Sequence, residues 1–419
     1  MKAYIPRLID DTLCKELEAF GAVLITGPKW CGKTTTALQQ ASSTLFLQDP
    51  DNRRQYLQLA DTKPSLLLEG AKPRLLDEWQ DAPQLWDAVR HSVDREQDTG
   101  LYILTGSTTI DEEKILHSGS GRISRVRMRT MSLYEAGESN GQVSLKSLFK
   151  GESISSQSDH SLEDVAALIV RGGWPGSMGR PLEVARRQVA GYCQSIINTE
   201  IESADGKKRD RDKLTAFLRS YSRHTAGSAS INTLVRDVSQ QFDTISRKTI
   251  SEYLSALSKI YVIEELPAWS PALRSKTSIA KSPVRHFVDP AIAAYFLDAG
   301  PADLISDLRT YGLLLESLVV RDLRIYADSI NGKVYHYRDR SGLEADAIIH
   351  LNNGSWGAVE VKLGNEAIEK GTASLLSLKS KINTDKMKEP SFLAVITSSG
   401  YAYEREDGVY VLPITCLRD

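Results

Sequence analysis

The chain has 419 residues, which at roughly 100–200 residues per domain means two to four domains with sizeable cores and excludes a single small module. Charged residues make up 25% and hydrophobic ones 41%, and 52 Lys plus Arg against 54 Asp plus Glu leave a net charge of -2, which excludes a uniformly basic nucleic-acid coat or an acidic tail protein. No run approaches the ~20 apolar residues of a membrane span, the start MKAYIPRLIDDTLCKELEAFG has no apolar signal core, and Cys14, Cys31, Cys193 and Cys416 form no CxxC pair, so a cytoplasmic protein with reduced thiols and no membrane partner is expected.

In chain order, a polar helix over about Asp10 to Phe20 leads into the strand AVLIT, a glycine-rich stretch and the helix-like TTTALQQA. Short apolar runs follow at LFLQ, LLLEG, RLLDE and LYILTGS, separated by stretches such as PQLWDAVRHSVDRE. That alternation predicts a parallel sheet with crossover helices over the first ~130 residues. From Glu138 to His160 the chain turns polar and rich in Gly and Ser, which reads as an exposed insertion or linker, and a helical region continues to about Asp205. Lys207 to Arg285 carries fifteen Lys and Arg against seven Asp and Glu, so neutrality overall hides a basic segment. Beyond Asp289, itself expected to cap a helix, come the helix GLLLESLVVRDLRIYA, the strands VYHYR and ADAIIHL, an NNGS turn and WGAVEVKLG, an α/β or α+β domain. No internal repeat is present.

The run GPKWCGKT, Gly27 to Thr34, satisfies GxxxxGK[ST] between a predicted strand and a predicted helix. The residues Gly27, Pro28, Lys29, Trp30, Cys31, Gly32, Lys33, Thr34 and Thr35 are therefore expected to bind nucleotide. Backbone N–H groups curl around the β-phosphate, Lys33 reaches the β/γ-phosphates and Thr34 ligates Mg²⁺. At the end of RLLDE, Asp77 is assigned to Mg²⁺ and Glu78 to the base that activates water; acids at a strand end running into solvent give the same residues. Thr105 and Ser107, at the end of LYILTGS, lie on the same sheet edge, where a hydroxyl could orient the attacking water. In SGRISRVRMR, Arg122 and Arg125 are candidates for a finger toward a neighbouring subunit's γ-phosphate, although a solvated basic loop reads the same way.

The GPKWCGKT loop, the LLDE strand, LTGS, GRISRVRMRTMSLYE and RGGWPG (Arg171 to Gly176) together resemble the AAA+-type ATPases of bacteria and archaea that carry a carboxy-terminal domain of long-unassigned function. The resemblance covers nearly the whole chain and implies ATP as ligand and a lid whose Trp174 and Pro175 touch the nucleotide, while a finger arginine supplied by a neighbouring subunit would mean a ring or at least a dimer. The bulky Trp30 and Cys31 depart from the small or basic residues usual at those loop positions.

In the basic middle, RDKLTAFLRSYSRHTAG, INTLVRDVSQQF and TISRKTISEYLSALSKIYVIEELP read as three helices running into a strand, the order of a winged helix-turn-helix. Ile250, Leu254, Leu257 and Ile260 would face a core behind a Ser246 cap. Arg247, Lys248, Ser251, Ser255 and Lys259 would point outward, toward DNA or, equally, toward a protein partner or solvent.

A second site follows from periodicity. Glu316 falls on the apolar stripe of its helix, Asp346 shares a strand face with Glu344 and Ile348, and Glu360 shares one with Lys362. A turn at Asn353 and Gly354 would set Asp346 opposite Glu360. The carboxylates Asp346 and Glu360, with Glu316, could hold Mg²⁺ or Mn²⁺ while Lys362 stabilises charge on a phosphodiester; a buried ion cluster compensated by Lys362 is the structural alternative. The D, spacer, ExK pattern is similar to that of the PD-(D/E)XK nuclease superfamily. The expected fold class is thus α/β: a P-loop NTPase core (1–150), helical lid (151–206), winged helix (207–285) and PD-(D/E)XK nuclease-like domain (286–419). The leading function is an ATP-hydrolysing, Mg²⁺-dependent protein acting on DNA, with homo-oligomers expected. The rivals are an ATP-driven switch that only binds DNA or a protein partner, and a small-molecule kinase.

Overall fold

In the computed structural model, which describes residues 3–109, 118–270, 282–382 and 387–419, the chain opens with helix α1 (Ile9–Ala19) and strand β1 (Ala22–Thr26). There follow α2 (Lys33–Ala37), β2 (Ser43–Phe46), α3 (Arg53–Thr62), β3 (Arg74–Asp77), α4 (Gln84–Glu96), β4 (Tyr102–Gly106) and β5 (Ile123–Arg127). The five strands form one parallel sheet in the order β2-β3-β4-β1-β5. Their continuous apolar runs have a direct cause, because both faces are covered. On one face Ala22, Leu24, Leu76 and Leu104 pack with Trp79, Trp86 and Val89; on the other Val23, Ile25, Leu75 and Ile103 pack with Leu13, Leu17 and Ala37. The α2 helix ends at Ala37, shorter than TTTALQQA suggested.

Beyond the first sheet come β6 (Val143–Ser144), α5 (Leu145–Phe149), β7 (Ser156–Gln157), α6 (Leu162–Arg171), α7 (Leu182–Ser195) and α8 (Ile201–Ser203). The middle holds α9 (Arg211–Arg223), α10 (Ile231–Ser239) and α11 (Arg247–Lys259). Next are α12 (Pro290–Phe296), α13 (Pro301–Ser306), α14 (Leu308–Ser329), β8 (Gly332–Arg338), β9 (Glu344–Leu351) and β10 (Trp356–Val361). The chain finishes with α15 (Asn365–Lys381), β11 (Phe392–Thr397), β12 (Tyr401–Glu404), β13 (Val409–Pro413) and β14 (Leu417–Arg418). A seven-stranded mixed sheet has the order β7-β12-β13-β11-β10-β9-β8.

These elements gather into two compact units. One comprises Met1–Thr130, Thr199–Lys208 and Ser255–Val262, the other Met131–Asn198, Arg209–Leu254 and Ile263–Asp419. The stretch from Glu138 to His160 is not the linker its composition suggested. Val143, Leu145 and Leu148 are buried, β6 pairs with β14, and β7 pairs with β12, so the polar sequence carries two edge strands of the second unit. In the basic middle, Ile250, Leu257 and Ile260 are buried while Arg247, Lys248, Ser251 and Ser255 are exposed, and the Ser246 hydroxyl accepts from Thr249 N at 3.1 Å as the cap of α11. Bridges Gly227 to Arg285, Ile263 to Phe287 and Leu266 to Val284 follow these helices.

Candidate functional site

The turn after β1 is built by two glycines. A Cβ on Gly27 would lie 2.1 Å from the Met128 carbonyl oxygen, and Gly32 adopts φ 107° at the entrance to α2. Trp30 also takes a left-handed conformation, φ 63°, and leaves its ring 57% exposed, whereas Cys31 is fully buried among Val23, Ile25 and Met128. The bulky pair thus splits, one residue going outward and one into the core. Lys33 is buried and donates to Gly27 O at 3.0 Å and Pro28 O at 2.9 Å, so its ammonium is folded against its own loop. Lys29 reaches Glu200, 2.8 Å away. Thr34 is half-buried and Thr35 exposed.

Parallel pairing carries the ends of β3 and β4 to the same edge as this loop. There Asp77 Oδ1 accepts from Thr34 Oγ1 at 2.7 Å and from Thr105 Oγ1 at 2.6 Å. Thr105 also receives the backbone N–H of Glu78 at 3.1 Å. The Thr105 hydroxyl is thus engaged by Asp77 and by the Glu78 backbone. Glu78 has φ 55° and its Oε2 accepts from Ser107 Oγ at 3.1 Å and from Gln80 Nε2. Sequence reasoning missed Gln80, although it stands two residues after Glu78. A 260 Å³ cavity lined by Lys29, Glu78, Gln80 and Ser107 opens beside these groups. Two hard oxygen donors on Thr34 and Asp77, already within hydrogen-bond distance of each other, fit an octahedral Mg²⁺ that keeps several waters.

The remaining first-unit candidates lie elsewhere. Arg122 precedes β5 at the amino edge of the sheet, opposite the loop, and pairs with Asp94 at 2.7 Å. Arg125, in the middle of β5, places its guanidinium 5.3 Å from the Trp86 ring. Neither is near the phosphate loop of its own unit. Arg127, paired with Thr26 at the loop edge, sits over Tyr261 instead.

In the second unit the RGGWPG segment has a packing role. A Cβ on Gly173 would lie 2.3 Å from Met131 O, Gly173 N donates to Asp289 at 2.9 Å, and the buried Trp174 ring packs at a tilt against Tyr192, centroids 5.0 Å apart. Pro175, half-buried, starts a 3₁₀ turn. Asp289 caps α12 through Ala291 N, as its position predicted, and also receives Arg321, whose other partner is Asp322.

The second carboxylate set does converge. The β9–β10 ladder pairs Ala347 with Val359, which sets Asp346 across from Glu360, and Asp346 Oδ2 accepts from Val361 N at 2.7 Å. Lys362 pairs with Glu360 and lies 3.4 Å from Asp346. Gly371 of α15 makes room for Lys362 and Glu360, since a Cβ there would meet Lys362 at 3.1 Å. Burial and the Asp346 charge push the Glu360 carboxyl up to about 8, and burial with the same neighbour holds Glu316 well above the usual range. Burial opposes the Lys362 ammonium, but Asp346 and Glu360 outweigh it and keep it charged. Among the described residues no group of three or more His, Cys, Asp or Glu side chains is arranged to hold a metal. Asp346 and Glu360 would offer a cation two carboxylates at most, with water or a phosphate completing the shell, a common Mg²⁺ arrangement.

Among the described residues no helix is long and apolar enough to cross a membrane. A family model for an AAA domain matches residues 19–137, and two described as domains of unknown function (DUF8612 and DUF4143) match residues 162–303 and 311–417. No curated protein matches the chain. Among solved structures, a Walker-type ATPase of Pyrococcus abyssi is 13% identical, with TM-score 0.42, covering 68% of this chain and 94% of that one. A signal transduction ATPase with numerous domains and a tetratricopeptide repeat sensor from Pyrococcus horikoshii is 13% identical, with TM-score 0.23, covering 78% and 48%. Both TM-scores are too low to define a shared fold. The segment that the AAA-domain model matches, residues 19–137, holds the parallel sheet, the GxxxxGKT loop after β1 and the acids at the end of β3, an arrangement that agrees with a P-loop ATPase fold.

Proposed function

We propose that this protein binds and hydrolyses ATP at the Gly27–Thr35 loop and couples nucleotide state to a Mg²⁺-dependent nuclease site at Asp346, Glu360, Lys362 and Glu316 acting on DNA. The observation that carries the first part is the junction at Asp77, whose Oδ1 binds the hydroxyls of Thr34 and Thr105 while Glu78 stands beside it. Bound Mg²⁺ would neutralise charge on the β- and γ-phosphates. Lys33 would leave Gly27 O and Pro28 O for the phosphate oxygens. Glu78 would take one proton from the attacking water as its oxygen bonds to the γ-phosphorus and the bond to ADP breaks. Phosphate release measured for wild type, Lys33→Ala and Glu78→Gln tests this; ATP turnover that survives both substitutions would remove the assignment.

For the second part, support comes from the element order α14-β8-β9-β10-α15-β11 and from the meeting of Asp346, Glu360 and Lys362. Mg²⁺ or Mn²⁺ there would polarise a phosphodiester, with Lys362 positioned to balance developing charge. DNA contact is further supported by the exposed Arg247 and Lys248 at the start of α11 and by the helix and bridge order of a winged helix around it. Incubation of purified protein with DNA, ATP and Mg²⁺ beside Asp346→Ala and Glu360→Ala decides the reading: cutting that persists in both variants is not from this site. A second reading is favoured by the Lys362 ion pairs, which already compensate the acids. In it the domain only binds DNA or a protein partner, and no cutting occurs while DNA is retained. Exposed Trp30, Leu38, Phe46 and Leu66 on the ATPase unit support self-association, read out by light scattering with and without ATP.

A further inference from the structure

A cavity of about 530 Å³ lies in the second unit, lined in part by Glu316 and Asp346. Its other lining includes Arg338 at the end of β8, Arg340 in the turn that follows, Glu344 and Ser228. Arg338, about half exposed, spans from Glu344 Oε1 at 3.0 Å to Ser228 Oγ at 3.2 Å. Arg340 is exposed. The acid between them is spent internally: Asp339 accepts from Ser341 N at 2.8 Å, Ser341 Oγ at 2.7 Å, Leu343 N at 3.1 Å and Lys381 Nζ at 2.9 Å. Those donors hold its carboxyl well below the usual range, so the turn presents the exposed Arg340 and an Arg338 whose charge is shared with Glu344.

An occupant that uses both the arginines and, through a cation, the acids carries one phosphate for the guanidiniums and a second able to meet the cation. A phosphodiester chain does this, and arginine forks match phosphate oxygens bidentately. The volume lies within the range of small-ligand pockets, about 300–1,000 Å³. Such a space admits a few nucleotide units of one strand. It is too small for a double helix whose major groove alone is about 12 Å wide.

We propose that this cavity seats a single nucleic-acid strand, with Arg338 and Arg340, both at the turn end of the β8–β9 pair, gripping phosphates next to the position addressed by Asp346. The proposal names the substrate form for the nuclease reading above and rests on it. The test uses the full-length chain with Ca²⁺ replacing Mg²⁺, and fluorescence anisotropy with a labelled single strand of about 15 nucleotides and a blunt duplex, a length near the upper site size of one single-strand module. Arg338→Ala/Arg340→Ala is expected to weaken single-strand binding at least tenfold and leave duplex binding unchanged. Loss of two phosphate contacts should also reduce the slope of log affinity against log salt by about 1.4. The Arg338→Lys/Arg340→Lys variant, which keeps charge but not the fork, should recover part of the affinity, and competition by a nucleoside monophosphate should be weak. Unchanged single-strand affinity, an equal loss for duplex, or full competition by the monophosphate would overturn it. Parallel cutting assays in Mg²⁺ separate the two ideas, because Asp346→Ala reports on cleavage and the arginine variants on binding.

Discussion

Thr34 and Asp77, 43 residues apart in the chain, meet side chain to side chain at 2.7 Å. One residue opens the helix after the phosphate loop and the other ends a strand two positions away in the sheet. Only parallel pairing in the order β3-β4-β1 brings the two to one edge. The contact places two oxygen ligands where a nucleotide-bound Mg²⁺ would sit, with Glu78 next in sequence and turned by its left-handed backbone toward Ser107 and Gln80.

Glu78→Gln keeps the shape of the base and removes its ability to take a proton. ATP turnover is expected to fall by about 10²–10⁴-fold while nucleotide binding is retained. Gln80→Ala removes one donor to Glu78 and should lower kcat about fivefold with KM unchanged, the effect of one hydrogen bond worth about 1 kcal/mol. Steady-state phosphate release together with fluorescent-nucleotide titration checks both.

Gly27→Ala would drive a methyl group to 2.1 Å from the Met128 carbonyl oxygen. Backbone lies on both sides of that contact, so the loop must shift, and a cost of about 1–3 kcal/mol in stability with loss of ATP binding is expected. Gly191 of α7 serves as control, because a methyl group added there would meet nothing within 4 Å among the described residues. Gly191→Ala should be neutral or stabilising by up to about 1 kcal/mol, as glycine inside a helix is costly. Thermal melting distinguishes the two substitutions.

Arg321 is buried between Asp289 and Asp322, donating to them at 3.0 and 2.8 Å, and Asp322 also accepts from Leu133 N at 2.9 Å. Arg321→Ala would leave two buried acids without their cation. A loss of about 3–5 kcal/mol is expected, measured by chemical denaturation of the full chain.

His286 is buried, with Nδ1 3.2 Å from Ser317 Oγ and Nε2 lacking a hydrogen-bond partner among the described residues. Burial, aided by the nearby Arg324 charge, holds its pKa well below the ordinary 6.5. The unfolded chain therefore binds a proton there before the folded one does. The stability associated with neutral His286 is present above about pH 6.5 and is lost as pH falls toward the folded value. A His286→Gln variant should show a flatter decline in melting temperature between pH 7 and pH 5; an identical decline in both proteins would contradict the assignment.

The local signals in the chain were sufficient for several features. GPKWCGKT between a strand and a helix, the acids ending RLLDE and the Ser246 cap of α11 depend on backbone geometry and short-range periodicity, which one stretch of chain carries alone. Strand runs buried on both faces announced the parallel sheet for the same reason. The polar stretch from Glu138 to His160 misled, because edge strands such as β6 and β7 are held by pairing partners more than two hundred residues away and need few apolar residues of their own. Gln80 at Glu78, Thr105 at Asp77, the packing of Trp174 on Tyr192 and the position of Arg122 at the far sheet edge likewise follow from which elements become neighbours. The sequence by itself determined the chemistry available at each strand end and helix start. Tertiary structure alone decided which of those groups meet, since hydrogen bonds and ion pairs act over a few ångströms and only long-range packing brings residues such as Thr34 and Asp77, or Glu316 and Asp346, within reach.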